Sequence, residues 1–189
     1  LIDKSYDLIG GNPVPLKSER LSNFAEQASM FSWLILQEIK KESPNSIYSA
    51  HGRILLASKN LYKNLDIDGL STPGDDAFMY LKSKHNFYYE KNAIVLYSIP
   101  SSVGDYLKQN IRFRKGKFVK SNSSFGIDYI KSEFKIKNKL NILIKTILSS
   151  PYKGFVWLFL YGLGYVKFKL QVQNSNDISK IWGEVKSTK

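Results

Sequence analysis

The hydrophobic positions in the first third of the chain follow a helical period. Apolar side chains recur every three or four residues, at Leu21, Phe24, Ala25, Ala28, Phe31, Leu34 and Ile35. This spacing predicts a helix with a broad apolar face, which Ser18 would cap and which would run to about Lys41. An extended segment through Pro15 precedes the helix, and a Ser-Pro-Asn-Ser cluster at residues 43–46 ends it.

The middle of the chain alternates between strand-like and helical patterns. Residues 51–58 have an apolar centre and are predicted to form a buried strand, whereas residues 87–97, rich in aromatic and β-branched side chains, predict one or two strands. Asp75 begins a short predicted helix between them. Ser102 and Asp105 form a capping-box pattern at the start of another helix. This alternation predicts an α/β fold.

The last third of the chain is strongly apolar between lysines. We predict a linker at residues 121–134, amphipathic or hydrophobic helices at residues 135–172 and a polar tail at residues 173–189. Residues 154–166 carry no charge, but this stretch is shorter than the roughly 20 residues that a membrane-spanning helix needs. The pattern therefore favours paired helices that lie on an anionic membrane surface. A true membrane span and a buried hairpin of the core are the alternatives.

Composition narrows the classes of partner and of site. The 189 residues include 28 Lys and Arg against 16 Asp and Glu, and the net charge of +12 favours an anionic partner such as a diphosphate, an acidic lipid surface or nucleic acid. The absence of cysteine excludes disulfides, thiolate metal sites and cysteine nucleophiles, and two histidines exclude a histidine-rich metal site. A hydrophobic content of 43% is enough for a domain with its own core.

Two short motifs carry the candidate chemistry. Asp75 and Asp76 open the short predicted helix, where one carboxylate can act as a general base for a hydroxyl group. Acidic residues in a first helical turn are also favoured by the helix dipole alone. In the later helix Gln109 and Arg112 share one face, so they can bind a diphosphate, and the adjacent Phe113 can stack on a sugar. A solvated amphipathic helix is the alternative there.

The order and spacing of these motifs, with the segment Gly10-Gly11-Asn12-Pro13-Val14-Pro15 upstream, resemble glycosyltransferase family 2, the inverting enzymes of the GT-A fold. The resemblance covers roughly residues 6–120. It implies that residues 1–120 form the C-terminal, acceptor-side portion of a GT-A catalytic domain, followed by the membrane-associated helices. It also implies that Asp76 is the general base and Asp75 its acidic neighbour.

The resemblance gives roles to further residues. His51, Gly52 and Arg53 fall where the family lines its acceptor pocket, and a glycine there allows the backbone to approach a sugar closely. His51 is equally well explained as an ordinary polar residue at a strand edge. Gln109 and Arg112 take the place of the diphosphate contacts. Phe113 stands where the family usually has Trp, and this departure favours a transferase of single sugars over a processive polysaccharide synthase.

The family carries a nucleotide-binding half before this point, ending in an Asp-x-Asp metal motif. Because the chain opens directly in a strand-like segment, we expect it to be a piece of a longer protein and to be inactive alone. A divalent cation, Mg²⁺ or Mn²⁺, is expected in the intact enzyme, with its ligands mostly in the missing half. Asp66 and Asp68 form an Asp-x-Asp in the wrong place for that motif, and we interpret them as part of a turn.

The resemblance thus implies a nucleotide-sugar donor, a lipid-linked or glycan acceptor, and a location on the membrane at the cytoplasmic face. The alternative from another class is a basic module without catalytic activity that binds a membrane or nucleic acid through the segment 112–120. No recognised nucleic-acid-binding motif accompanies this segment, so nucleic acid is not an expected partner.

Overall fold

The structure, a computed structural model, describes residues 5–16, 23–65, 75–83, 86–120 and 131–174. Its elements are, in chain order, β1 (Leu8–Pro15), α1 (Phe24–Glu42), β2 (Leu55–Ala57), α2 (Lys59–Lys63), α3 (Asp75–Lys82), β3 (Phe87–Tyr97), α4 (Val103–Lys120), α5 (Lys139–Ser149) and α6 (Pro151–Asn174). The predicted mixture of helices and strands is confirmed at this level.

β1 lies at the centre of a three-stranded sheet of order β2-β1-β3. It pairs antiparallel with β2, Leu8 opposite Ala57 and Gly10 opposite Leu55. Two glycines allow the close packing of this strand. A Cβ on Gly10 would lie 2.8 Å from the Phe87 ring, and a Cβ on Gly11 would lie 2.6 Å from a carbonyl oxygen of β3. The Gly-Gly pair is thus explained by the sheet itself.

The chain divides into two units. Unit 1 comprises Leu1–Val14, Leu36–Tyr97 and Val119–Lys137, and unit 2 comprises Pro15–Ile35, Ser98–Phe118 and Asn138–Lys189. Unit 1 contains β2, β3 and all of β1 except Pro15. Its core is formed by side chains from the strands, α2, α3 and the loop after α1: Leu8, Ile47, Ala50, Leu61, Ala77, Tyr80, Leu81 and Phe87.

Unit 2 is helical. Ala25 and Ala28 of α1 pack with Tyr106 of α4 and Leu160 of α6 in a second buried cluster. Trp157 of α6 donates from its indole N–H to the Ser32 hydroxyl at 2.9 Å. α5 and α6 pack against each other. Among the described helices, none combines the length and the hydropathy of a membrane-spanning segment.

Several element boundaries match the sequence predictions and others differ. β3 is one strand over all 11 predicted residues, and the Ser102 hydroxyl caps α4 by accepting the N–H of Asp105 at 3.1 Å. α1 begins at Phe24, where the Asn23 side chain accepts the N–H of Glu26, whereas the predicted cap Ser18 lies outside the described residues. The predicted buried strand at 51–58 was wrong in extent and burial: only Leu55–Ala57 form a strand and pair with β1, and Leu56 is 53% exposed.

Candidate functional site

The acidic motif contacts the segment that was predicted to line an acceptor pocket. The Oδ2 atom of Asp76 accepts a hydrogen bond from the backbone N–H of Gly52 at 3.3 Å. Its Oδ1 atom accepts from the N–H of Ala77, the next residue in α3, at 2.7 Å. The second contact is local to a helix start, but the first joins residues 24 positions apart. Two N–H donors therefore fix the orientation of the Asp76 carboxylate beside Gly52.

The neighbours of Gly52 form a compact polar and aromatic group. The Arg53 guanidinium lies 4.0 Å from the centre of the Tyr97 ring, and its Nη1 donates to the Nε2 atom of His51 at 3.1 Å. The rings of His51 and Tyr97 are 6.3 Å apart. The backbone N–H of Arg53 also lies 3.4 Å from the Nδ1 atom of His51. Because Arg53 can only donate and a neutral imidazole has one acceptor nitrogen, a neutral His51 accepts one of these two hydrogen bonds, and the tautomer decides which.

The electrostatics of this group agree with a neutral His51. The pKa of His51 is lowered from 6.5 to about 4, chiefly by burial and in addition by the positive charges of Arg53 and Lys40. Lys40 itself is only 5% exposed, and its ammonium lies 4.7 Å from the centre of the Tyr89 ring. Burial lowers the pKa of Lys40 to about 8. His51 is thus held as a neutral hydrogen-bonding group near neutral pH.

A cleft of about 720 Å³ lies on the face of the sheet in unit 1 and reaches Gly52. Its lining combines aromatic, charged and aliphatic side chains with two glycines: Tyr6, Ile9, Gly11, Gly52, Arg53, Ile54, Leu55, Leu56, Tyr88, Glu90 and Ala93. Asp76 is not one of the lining residues. Gly52 therefore connects the two features, since it borders the cleft and donates to the Asp76 carboxylate.

The second motif lies on α4 in unit 2. Gln109 and Arg112 are partly buried, and Phe113 is exposed. Their positions at i, i+3 and i+4 place all three on one side of the helix. The structure therefore assigns Gln109, Arg112 and Phe113 to one surface of unit 2, and Asp76 with residues 51–53 to unit 1.

One residue of the basic segment has a structural role that the sequence did not indicate. The Nε atom of Arg114 donates to the side chain of Asn110 at 2.7 Å, and its guanidinium lies 4.0 Å from the centre of the Tyr161 ring and donates to the Tyr161 carbonyl oxygen. Arg114 thereby joins α4 to α6 within unit 2. Only the i, i+4 spacing of Asn110 and Arg114 could have suggested part of this arrangement.

Some predicted site residues lie partly or wholly outside the described part of the chain. Asp75 is the first residue of α3, and its side chain lies outside the described part. Asp66 and Asp68 also lie outside it. Among the described residues, no group of three or more histidine, aspartate or glutamate side chains could hold a metal ion.

No protein-family model, curated protein sequence or solved structure matches this chain. The functional assignment accordingly depends on the residues and contacts described above.

Proposed function

We propose that this chain is the acceptor-side part of an inverting glycosyltransferase in which Asp76 is the general base. The observation that carries the proposal is the hydrogen bond between the Asp76 carboxylate and the Gly52 N–H. The resemblance to the family gives these two motifs neighbouring roles, base and acceptor pocket, although 24 residues separate them in the sequence. A carboxylate that served only to stabilise the start of α3 would need no such partner.

In the proposed reaction Asp76 accepts the proton of an acceptor hydroxyl. The hydroxyl oxygen then forms a bond to the anomeric carbon of the donor sugar while the bond from that carbon to the nucleoside diphosphate breaks. Because attack and departure occur on opposite faces, the configuration of the anomeric carbon is inverted. The N–H groups of Gly52 and Ala77 hold the carboxylate in one orientation for this proton transfer.

The other residues retain the roles that the resemblance gives them. Arg112 and Gln109 would bind the departing diphosphate, since charge-assisted hydrogen bonds to phosphate oxygens are strong, and Phe113 would stack on a sugar ring. His51 and Arg53 would bind acceptor hydroxyls. The neutral state of His51 suits this role, because the ring adds no charge beside an uncharged hydroxyl group.

The stereochemistry of the product tests this proposal. The protein to assay is one that carries this chain behind a nucleotide-binding half, incubated with a panel of nucleotide sugars and glycan acceptors. Proton NMR of the product should show an anomeric configuration opposite to that of the donor. Retention of configuration, or no transfer from any donor, would overturn the proposal.

We also propose that α5 and α6 attach the protein to an anionic membrane surface. The observation that favours this second role is an exposed apolar surface on the two helices, which we call the α5–α6 apolar face: Leu140, Ile144, Leu148, Phe155, Phe159, Val166 and Leu170. Phe155 and Phe159, one turn apart, are 68% and 67% exposed. Lys167 and Lys169 at the end of this face are exposed too. An apolar surface and basic side chains beside it are the two signals that stable attachment of a protein to a membrane requires.

Vesicle sedimentation tests this second role. The chain should pellet with vesicles that contain phosphatidylserine and much less with vesicles of phosphatidylcholine alone. The double substitution Phe155→Ser/Phe159→Ser should weaken binding at least tenfold. The control Ile94→Ser/Leu96→Ser removes two similarly exposed apolar residues of β3 and should leave binding unchanged. Equal binding of both double variants would contradict a role for this face.

A further inference from the structure

We infer that the cleft on the sheet of unit 1 binds a neutral oligosaccharide, and that this glycan is the acceptor of the proposed reaction. The identification of this glycan as the acceptor rests on the proposed function, but glycan binding in the cleft can be tested without any sugar transfer. It adds Tyr6, Tyr88 and Glu90, which no motif in the sequence indicated, to the predicted site residues Gly52 and Arg53.

One side of the cleft is an aromatic surface. The rings of Tyr6 and Tyr88 stack with their centres 5.1 Å apart and their planes 25° apart. Tyr88 is 38% exposed, so part of its ring is in contact with solvent in the cleft. The stack with Tyr6 holds the ring in one orientation. A rigid, partly exposed tyrosine of this kind offers a flat apolar surface and a polar hydroxyl, which suits the C–H face and the hydroxyls of a sugar.

The cleft carries one positive and one negative side chain. Arg53 and Glu90 both line the cleft, and their opposite charges cancel. A guanidinium donates hydrogen bonds and a carboxylate accepts them, so together they can bind sugar hydroxyl groups in both directions. A diphosphate would gain from Arg53 but would be repelled by Glu90. The balance therefore favours a neutral polyhydroxylated ligand over an anionic one.

The size and the position of the cleft also suit an oligosaccharide. A volume of about 720 Å³ lies well within the range of small-molecule sites and exceeds what a single sugar ring needs, so the cleft can hold several linked rings. Gly11 and Gly52 bring the backbone to its surface. At Gly52 the cleft reaches the residue that donates to the Asp76 carboxylate. A glycan in the cleft would therefore extend one end toward the proposed base.

NMR titration of the 189-residue chain tests the inference. Cellotetraose, mannotetraose and chitotetraose serve as the neutral probes, and the backbone amides of Gly11 and Gly52 serve as reporters inside the cleft. We expect saturable shifts of both amides with at least one probe at millimolar concentration. Tyr88→Ala should weaken that binding about tenfold, since a stacking surface is lost. Tyr62→Ala, which removes a 57% exposed tyrosine from α2 in the same unit, should not change it.

Each result has one interpretation. No shift of the two amides with any probe, or equal affinity in the wild type and Tyr88→Ala, would overturn the inference. Glycan binding without sugar transfer in the longer protein would support the cleft and contradict the proposed function. Sugar transfer at the same rate in the wild type and in Tyr88→Ala would support the proposed function and contradict the assignment of the cleft as the acceptor site.

Discussion

The substitution Gly11→Ala tests how tightly the sheet of unit 1 is packed. A Cβ at this position would lie 2.6 Å from the carbonyl oxygen of Ala93 and 2.6 Å from the Cδ1 atom of Ile54. Both distances are far inside the contact distance of about 3.5 Å. The Ile54 side chain can rotate away, but the carbonyl belongs to the backbone of β3. Relief of the clash with the Ala93 carbonyl therefore requires β1 and β3 to separate.

The expected cost follows from these contacts. Overpacking a buried site costs about 1–3 kcal/mol, and each strained or lost backbone hydrogen bond adds about 1 kcal/mol. We expect Gly11→Ala to reduce the free energy of unfolding of unit 1 by about 3 kcal/mol. Under conditions where amide exchange follows this free energy, hydrogen exchange in β1 and β3 should become roughly 100-fold faster.

Mass spectrometry of deuterium uptake in peptides that cover residues 5–16 and 86–97 would measure this change. Gly52→Ala is the matched control, because a Cβ there would have its nearest contacts at 3.7 Å, on the Asp76 side chain, which is an ordinary distance. Its exchange rates should stay close to those of the wild type. If Gly11→Ala exchanged at the wild-type rate, the close approach of β1 and β3 would be refuted.

Three further predictions concern other parts of the molecule. The pKa of His51 is about 4 in the folded protein and near 6.5 in the unfolded chain, so unit 1 should lose up to about 3 kcal/mol of stability as the pH falls from about 6.5 to 4 and keep this contribution above pH 6.5. Chemical denaturation at a series of pH values measures this loss. The free energy of unfolding should depend less steeply on pH in His51→Gln than in the wild type. Arg114→Ala should destabilise unit 2 by about 1–2 kcal/mol, because it removes the contacts with Tyr161, and urea denaturation followed by tryptophan fluorescence measures this. Arg112→Ala should change stability less and should weaken nucleoside diphosphate binding instead. Equal losses of stability in the two variants would contradict these separate roles. Gly162→Ala should stabilise α6 by up to about 1 kcal/mol, because nothing lies within 4 Å of the added Cβ, and a lower denaturation midpoint would contradict the described environment.

The regular elements could be predicted from the sequence because their patterns are local. The apolar period of α1, the aromatic and β-branched composition of β3 and the Ser102 cap of α4 each depend on residues close in the chain. The extent of β2 could not be predicted, because it is set by how much of the segment pairs with β1.

The candidate site was predictable to a similar degree. The sequence indicated Asp76 and residues 51–53 as separate motifs, but their contact depends on the loop that brings Gly52 to the start of α3. The cleft could not be predicted, since it requires the pairing of β1 and β2 together with the position of Tyr88 on β3. Tyr88 and Glu90 do share one face of a strand by their i, i+2 spacing, but this local pattern gives no information on the residues of β1 and β2 that line the rest of the cleft.

The most direct test of the central claim is the rate of the transfer step in Asp76→Asn. The measurement is a single-turnover reaction at saturating donor and acceptor, in a protein that carries this chain behind a nucleotide-binding half, together with a titration of donor affinity. Glu26→Gln, which removes an acidic residue from the first turn of α1, is the control for a helix-dipole effect alone. We predict a rate about 100- to 10,000-fold lower in Asp76→Asn with donor affinity unchanged, and a nearly normal rate in the control. Transfer by Asp76→Asn at the wild-type rate would contradict the assignment of Asp76 as the general base.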